Sequence, residues 1–456
     1  PHPSLERLSG QSGSVPEPIV GSYALGGHEI FANRLQTERK VAVNLGQTHL
    51  SSVAMHSRTM KWLLALLAII GLFGTHGPST IGVLALCEAK KSSPIVSNGL
   101  RNLGNTCYMN AQLQCAFHIP AVREVATSVT KSEILPVSEG DDDEVSEEDR
   151  EETTEAALAL KEVVENMVVA AKRSSLPYMP RSFCMRLGIP PMVQQDSQEF
   201  WKLLLPAVGI EQLSDLYKGV YEDYISAIDG SGREKRRDEV FLDLSLDVST
   251  SSSLLDSLKD SFGEPEVLSV AEGNGWRPEK GADKVDAHKG QSLVAKGLPA
   301  ILQFHLKRFN YDWQTDTTTK LNNRFTFPKS LDLATICVDV EGNDPRTEYE
   351  LQAVVVHMGE YGVGHYYAYV RPDMESNEWY RFNDDKVDEV SFDDVTADAF
   401  GGRQQSKKQV GGLYRRIGRL FRNNNKNSFG WGGRTSNAYV LQYVRKSEIS
   451  SLYTTK

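Results

Sequence analysis

Gly99-Leu100-Arg101-Asn102-Leu103-Gly104-Asn105-Thr106-Cys107-Tyr108-Met109-Asn110 sets a cysteine at the point where a loop hands over to a helix. The two glycines and two asparagines before Cys107 suit a turn, and the apolar positions after it begin a helical pattern. A helix start offers unpaired N–H groups and the positive end of the peptide dipole. Both favour a thiolate over a thiol.

Working outward, two later segments supply what such a cysteine needs. Gly362-Val363-Gly364-His365-Tyr366-Tyr367-Ala368-Tyr369 carries a histidine into an aromatic-rich strand, and Trp379-Tyr380-Arg381-Phe382-Asn383-Asp384-Asp385 follows. A thiol of ordinary pKa is mostly protonated at neutral pH, so a partner imidazole has to take the proton. An amide or carboxylate then orients the imidazole through its other nitrogen. Cysteine, histidine and Asn or Asp, in this order, are the parts of a papain-type thiol hydrolase. His365 lies 258 residues after Cys107 (365 − 107), so only a fold brings them together. Asn383 lies 18 after His365 (383 − 365), which two adjacent strands suffice to span. Asn102 has a carboxamide able to donate to a developing oxyanion, beside the N–H groups of the helix start. Taken singly, each residue has a plainer use. A lone buried Cys is ordinarily an inert small hydrophobe, a His between Gly and Tyr is ordinarily structural, and Asn-Asp-Asp is ordinarily a turn. Their joint occurrence, each inside a patterned segment, favours the chemistry.

Composition sets the frame. The chain has 456 residues, 40% hydrophobic and 24% charged, which is ordinary for a folded soluble protein. A net charge of −10 argues against nucleic acid as the main partner. Charge is clustered: Glu139 to Glu152 holds ten acids and one Arg, and Lys407 to Arg434 holds eight bases and no acid. Five cysteines, none in a CxxC pair, exclude a zinc-knuckle site and suggest no disulfide framework. A reducing compartment, cytoplasmic or nuclear, follows. Against that stands Trp62 to Gly74, a 13-residue apolar run after Met60-Lys61, resumed at Ile81 to Cys87. It is short for a bilayer span and laid out like a signal peptide or weak anchor, so 62–87 is a candidate membrane-associating segment.

The division that follows is a poorly ordered region 1–98 and a folded domain 99–447 with a basic insertion at 403–435. A tail, 448–456, closes the chain. The patterns predict one helix over Cys107–Val125, a solvated acidic loop over 139–152, and helices over Ala156–Lys172 and Gln198–Val208. Asp196 and Ser197 can cap the last. Strands are predicted at 240–246, 298–309, 349–357, 365–370, 378–382 and 438–444. Helices first and strands second give an α+β class with an antiparallel sheet.

The ordered segments resemble the ubiquitin-specific protease family. Gly99–Gln114 is similar to its Cys box, and Gln194-Gln195-Asp196-Ser197-Gln198-Glu199-Phe200 to its QQDxQEF segment. Leu298–Phe309 is similar to its LPxxLxxxLxRF strand, Tyr349–Val390 to its His box, and Asn437-Ala438-Tyr439-Val440-Leu441 to its NAYxL strand. The linker Tyr311–Asp316 through Asn323–Pro328, with the missing CxxC pairs, is closest to the herpesvirus-associated subgroup. The resemblance implies a papain-like fingers–palm–thumb architecture and hydrolysis after the terminal glycine of ubiquitin through an acyl-enzyme. It makes Cys107 the nucleophile, His365 the base and then acid, Asn383 the orienting third member and Asn102 the oxyanion donor. Asp196 and Glu199 would grip the arginine-bearing ubiquitin tail, and Tyr366 would line its channel. Their plainer uses are helix capping and sheet packing. It implies ubiquitin and ubiquitinated proteins as partners, no cofactor, no metal and a monomer.

The chain departs from the family in three places. Asn383 stands where the closest subgroup has Asp, so Asp384 is a candidate to share that role. The basic insertion is additional, and 211–297 matches only weakly. The competing class is a ubiquitin-binding pseudoenzyme or scaffold, which the complete Cys107, His365 and Asn383 set disfavours.

Overall fold

The computed structural model describes residues 94–130, 132, 134, 146–402 and 435–454. The apolar 62–87 segment and almost all of the basic insertion lie outside these residues.

Among the described residues six helices come first: α1 (Cys107–Phe117), α2 (Pro120–Ser128), α3 (Glu147–Arg173), α4 (Arg181–Arg186), α5 (Ser197–Ala207) and α6 (Glu211–Tyr217). The single helix expected over 107–125 is two. His118 and Ile119 leave helical geometry, and Pro120, lacking an N–H, opens α2 at its first turn. The acidic stretch also differs from expectation from Glu147 onward. Ser146 caps α3 by accepting from the Asp149 N–H, and Glu147, Glu148 and Asp149 form its first turn, where negative charge opposes the dipole. Acidity there promotes the helix rather than solvating a loop.

The strands β1 (Gly219–Ala227), β2 (Glu234–Phe241), β3 (Leu244–Asp247), β4 (Glu266–Leu268) and β5 (Ala287–Leu293) follow, with α7 (Leu254–Phe262) between β3 and β4. Then come β6 (Ile301–Lys307), the β7 (Phe309–Asp312) and β8 (Thr317–Lys320) hairpin, and β9 (Ser330–Asp332). The long pair β10 (Glu348–Glu360) and β11 (Val363–Val370) precedes β12 (Trp379–Asn383) and β13 (Lys386–Val390). Helix α8 (Phe392–Ala399), β14 (Asn437–Arg445) and α9 (Ile449–Tyr453) complete the order. Residues read as a tail thus include a helical turn. Its Leu452 is buried in the core shared with the helices, which gives the segment a reason to order.

Among the described residues three sheets result. An eight-stranded sheet runs β13-β12-β11-β10-β14-β6-β3, with β9 on β10. A four-stranded sheet runs β2-β1-β5-β4, and β7 pairs with β8. Among the described residues the strands pair antiparallel except β3 with β6, which is parallel; the isolated bridges Leu100–Tyr178 and Ser253–Thr326 are parallel as well. Two cores flank the large sheet. On one face Ala353, Val355, Tyr366, Ala368 and Val370 pack with the buried side of α1 and its neighbouring helices. On the other, Val354, Val356, Tyr367, Tyr369 and Trp379 pack with α8 and the 293–337 region. The alternation of odd and even residues between faces is the period-2 rule of strands. Helical layer, central sheet and four-stranded extension fill the thumb, palm and fingers of the expected α+β class.

Candidate active site

The site forms where α1 meets the end of β11. Asn102 organises the loop before the helix. Its Oδ1 accepts from the N–H groups of Gly104 (2.9 Å) and Thr106 (3.0 Å), and Leu103 N–H donates to the Thr106 hydroxyl. That fixes Cys107 as the first residue of α1. No side chain caps this helix and no acid stands in its first turn, so the positive end of its dipole is left to the thiol. Gly99 takes a φ of +92°, and a Cβ there would come within 2.6 Å of the Asp384 carbonyl. The close approach lets Leu100 N–H donate to that carbonyl at 2.9 Å, tying the loop before Cys107 to the β12–β13 turn.

His365 lies close enough to Cys107 for the thiol to bear on its charge, and its Nε2 meets the Asn383 Oδ1 at 2.6 Å. Asp384 Oδ2 lies 3.8 Å from the same Nε2, beyond a hydrogen bond but close enough for its charge to be felt. Asp384 sits at φ +54°, in the left-handed region that Asp tolerates. Its carboxylate accepts from Asn102 Nδ2 (3.0 Å) and Asn110 Nδ2 (2.9 Å). Burial opposes an imidazolium at His365. The hydrogen bond and charge of Cys107, the Asn383 carbonyl and the Asp384 charge outweigh it, raising the imidazole to about 9. Burial pushes the Asp384 carboxyl up, and the two asparagines and His365 oppose the rise.

Every residue expected at the chemical centre, Cys107, His365, Asn383, Asp384 and Asn102, is therefore gathered at one place. The residues expected to touch a substrate tail are more dispersed in character. Asp196 is the N-cap of α5: Oδ1 accepts from Gln198 and Glu199 N–H, and Oδ2 from the Tyr439 hydroxyl. Glu199 is exposed in the first turn of the same helix. Tyr366 is 4% exposed, its ring 4.7 Å from His357 and 5.7 Å from Tyr439. It belongs to a packed aromatic cluster.

Two site residues have no place among the sequence candidates. Asn110 lies one helical turn after Cys107, a spacing that puts both on the face of α1 that meets the sheet. Gln194 is the first residue of the segment that contains Asp196. Its Nε2 donates to the Gly364 carbonyl at 2.7 Å and stands 3.8 Å from the Cys107 sulfur. Among the described residues no cluster of His, Cys, Asp and Glu is arranged to hold a metal, and no helix is long and apolar enough to cross a membrane.

A helix-borne thiol, an imidazole on an opposing strand and an amide behind it are the parts that a cysteine hydrolase centre requires. The family model described as ubiquitin carboxyl-terminal hydrolase matches residues 98–443. The chain belongs to that family, the cysteine-type deubiquitinating enzymes. It is 30% identical over 373 residues to ubiquitin carboxyl-terminal hydrolase 15 of Schizosaccharomyces pombe, covering 80% of this chain and 29% of the relative. It is also 30% identical to ubiquitin C-terminal hydrolase 13 of Arabidopsis thaliana, over 79% of this chain and 30% of that one. A third relative, ubiquitin carboxyl-terminal hydrolase 9X of Mus musculus, is 30% identical over 77% of this chain and 16% of its own length. The chain spans less than a third of the length of these relatives.

Proposed function

We propose that this chain is an active cysteine deubiquitinase that hydrolyses the isopeptide or peptide bond after the terminal glycine of ubiquitin. The observation that carries the reading is the His365–Asn383 hydrogen bond, next to Cys107 at the start of α1, within a domain of this family. In this reading the thiolate of Cys107 attacks the glycine carbonyl while His365 holds the proton. Asn102 Nδ2 and the N–H groups that open α1 face the oxyanion. His365 gives its proton to the departing amine, leaving ubiquitin as a thioester on Cys107. Water, deprotonated by His365, then releases ubiquitin with a free carboxylate. Asn383 orients the ring, and Asp384 supplies the negative charge that an amide lacks.

For the tail, Asp196 and Glu199 are the proposed partners of its arginines, joined by Asp243. Asp196 and Asp243 lie near enough to His305 for their charges to oppose the lowering of its pKa by burial. Carboxylates suit guanidinium groups because the pair can be bidentate. Tyr366 shapes the channel from beneath through its ring cluster. The body of ubiquitin is assigned to the four-stranded sheet, where a cavity of about 1510 Å³ is lined by Glu222, Asp223, Arg236, Arg237 and Lys289 among others. Affinity to the herpesvirus-associated subgroup is supported by the 311–328 linker and the missing CxxC pairs.

Ubiquitin carrying a C-terminal electrophile tests the reading. The wild-type chain is expected to form a covalent adduct that Cys107→Ala does not form. A wild-type chain that binds ubiquitin yet stays unlabelled would establish the pseudoenzyme instead.

A further inference from the structure

Gln194 is bonded to the strand that carries the base and reaches the nucleophile as well. Its carboxamide lies against the peptide group of Gly364: Nε2 donates to the Gly364 carbonyl at 2.7 Å, and Oε1 faces the Gly364 N–H at 3.5 Å. The carbonyl can only accept, so it fixes which end of the amide is nitrogen. Strand β12 pairs with β11 only from Ala368 to Val370. Gly364 lies beyond that pairing, and Gln194 supplies its peptide with the partner the short strand does not reach. The second hydrogen on Nε2 is available to the Cys107 sulfur, 3.8 Å away. Gly364 is held from another side too. A Cβ at that position would lie 1.9 Å from His357 Nε2, so the His357 ring occupies the volume a side chain would need. The peptide next to His365 is thereby packed by one side chain and hydrogen-bonded by another.

We propose that Gln194 is a positioning residue of the hydrolase centre, fastening the His365 strand to the nucleophile and donating a hydrogen bond to the Cys107 thiolate. The thiolate then has two donors, His365 and Gln194, on separate elements. A donor to sulfur stabilises the anion over the thiol. The clamp also sets the distance over which the Cys107 proton travels. This inference rests on the proposed role of Cys107 as nucleophile.

The test is alkylation of Cys107 by iodoacetamide as a function of pH, corrected with a Cys107→Ala background, alongside ubiquitin–fluorophore hydrolysis. Gln194→Ala is expected to raise the pH midpoint of alkylation by about one unit, and to lower kcat roughly ten-fold with KM within about two-fold. Gln194→Glu puts a carboxylate beside both the thiolate and the Gly364 carbonyl, and is expected to raise the midpoint further. Gln194→Met keeps the volume without the donors and is expected to match the alanine variant, which covers a folding loss in the latter. Midpoints of Gln194→Met and Gln194→Glu that superimpose on wild type would overturn the inference, even if turnover falls. Failure of wild type to react with the ubiquitin electrophile would instead overturn the proposed function. The two failures are thus read on different chains.

Discussion

The junction around Cys107 and the four-stranded sheet are built on opposite plans. At the junction, hydrogen bonds join residues far apart in the chain: Asn102 with Asp384, Asn110 with Asp384, Gln194 with Gly364, Leu100 with Asp384. Most are half-buried or buried, and one amide often serves two partners. In the four-stranded sheet the polar contacts are surface ion pairs such as Arg236–Glu222 and Arg237–Asp223, with side chains as much as 48% and 60% exposed on the arginine side. The apolar content of that sheet gathers at its base, where Tyr221, Phe241 and Phe262 meet. Precision is concentrated where a proton moves over a fraction of an ångström. Adaptable charge is left on the sheet proposed to receive the body of ubiquitin.

The sharpest way to break the comparison is Gly364→Ala. The new Cβ would collide with the His357 ring and push the peptide beside His365 away from Gln194. Because displacement of about 1 Å can cost about 100-fold, kcat is expected to fall by at least that factor in a steady-state assay. Activity near wild type would show that the junction tolerates slack and is no more exacting than the fingers.

A smaller effect is expected from Asp384→Asn, read as the alkaline limb of kcat/KM. The fold favours the charged imidazole of His365, raised to about 9. The pair's contribution is therefore complete below the ordinary histidine value of about 6.5 and is lost as pH rises through about 9. Removing the carboxylate 3.8 Å away withdraws one source of that rise, so the alkaline limb should move to lower pH. A limb that stays in place would assign the whole electrostatic effect to Cys107 and Asn383.

The smallest effect belongs to the fingers. Arg236→Ala removes exposed contacts to Glu222 and Glu234, and its expected cost in denaturant unfolding is below about 1 kcal/mol with kcat unchanged. A loss of several kcal/mol would mean that these pairs stabilise the sheet rather than merely decorate it.

The same contrast explains what could be read without coordinates. Cys107, His365 and Asn383 were legible because each sits in a segment with its own local logic: a helix start, a strand entry and a strand end. The helix at Ser197 announced itself through its Asp196 cap. The fingers did not. In β2, Glu-Lys-Arg-Arg-Asp-Glu-Val-Phe has no apolar alternation because nearly every side chain is exposed, and the period-2 signal that marks a half-buried strand is missing. Gln194 was hidden for a different reason. Its partners are a glycine carbonyl 170 residues away and a sulfur 87 residues away, and no local pattern encodes either. Pro120 marked a helix start, but the strong apolar spacing on both sides hid it.

One consequence concerns how the protein is made. Cys107 and Asn383 are separated by 276 residues (383 − 107), with the four-stranded sheet and most of the central sheet between them. At about 5–20 residues per second, a ribosome exposes the thiol tens of seconds before the strands that hold His365 and Asn383. On the proposed reading, during that interval the chain has its nucleophile but no means of ionising it through His365. On the proposed reading, competence to cut arrives with the last of these long-range strand pairings, so activity reports that this domain has folded.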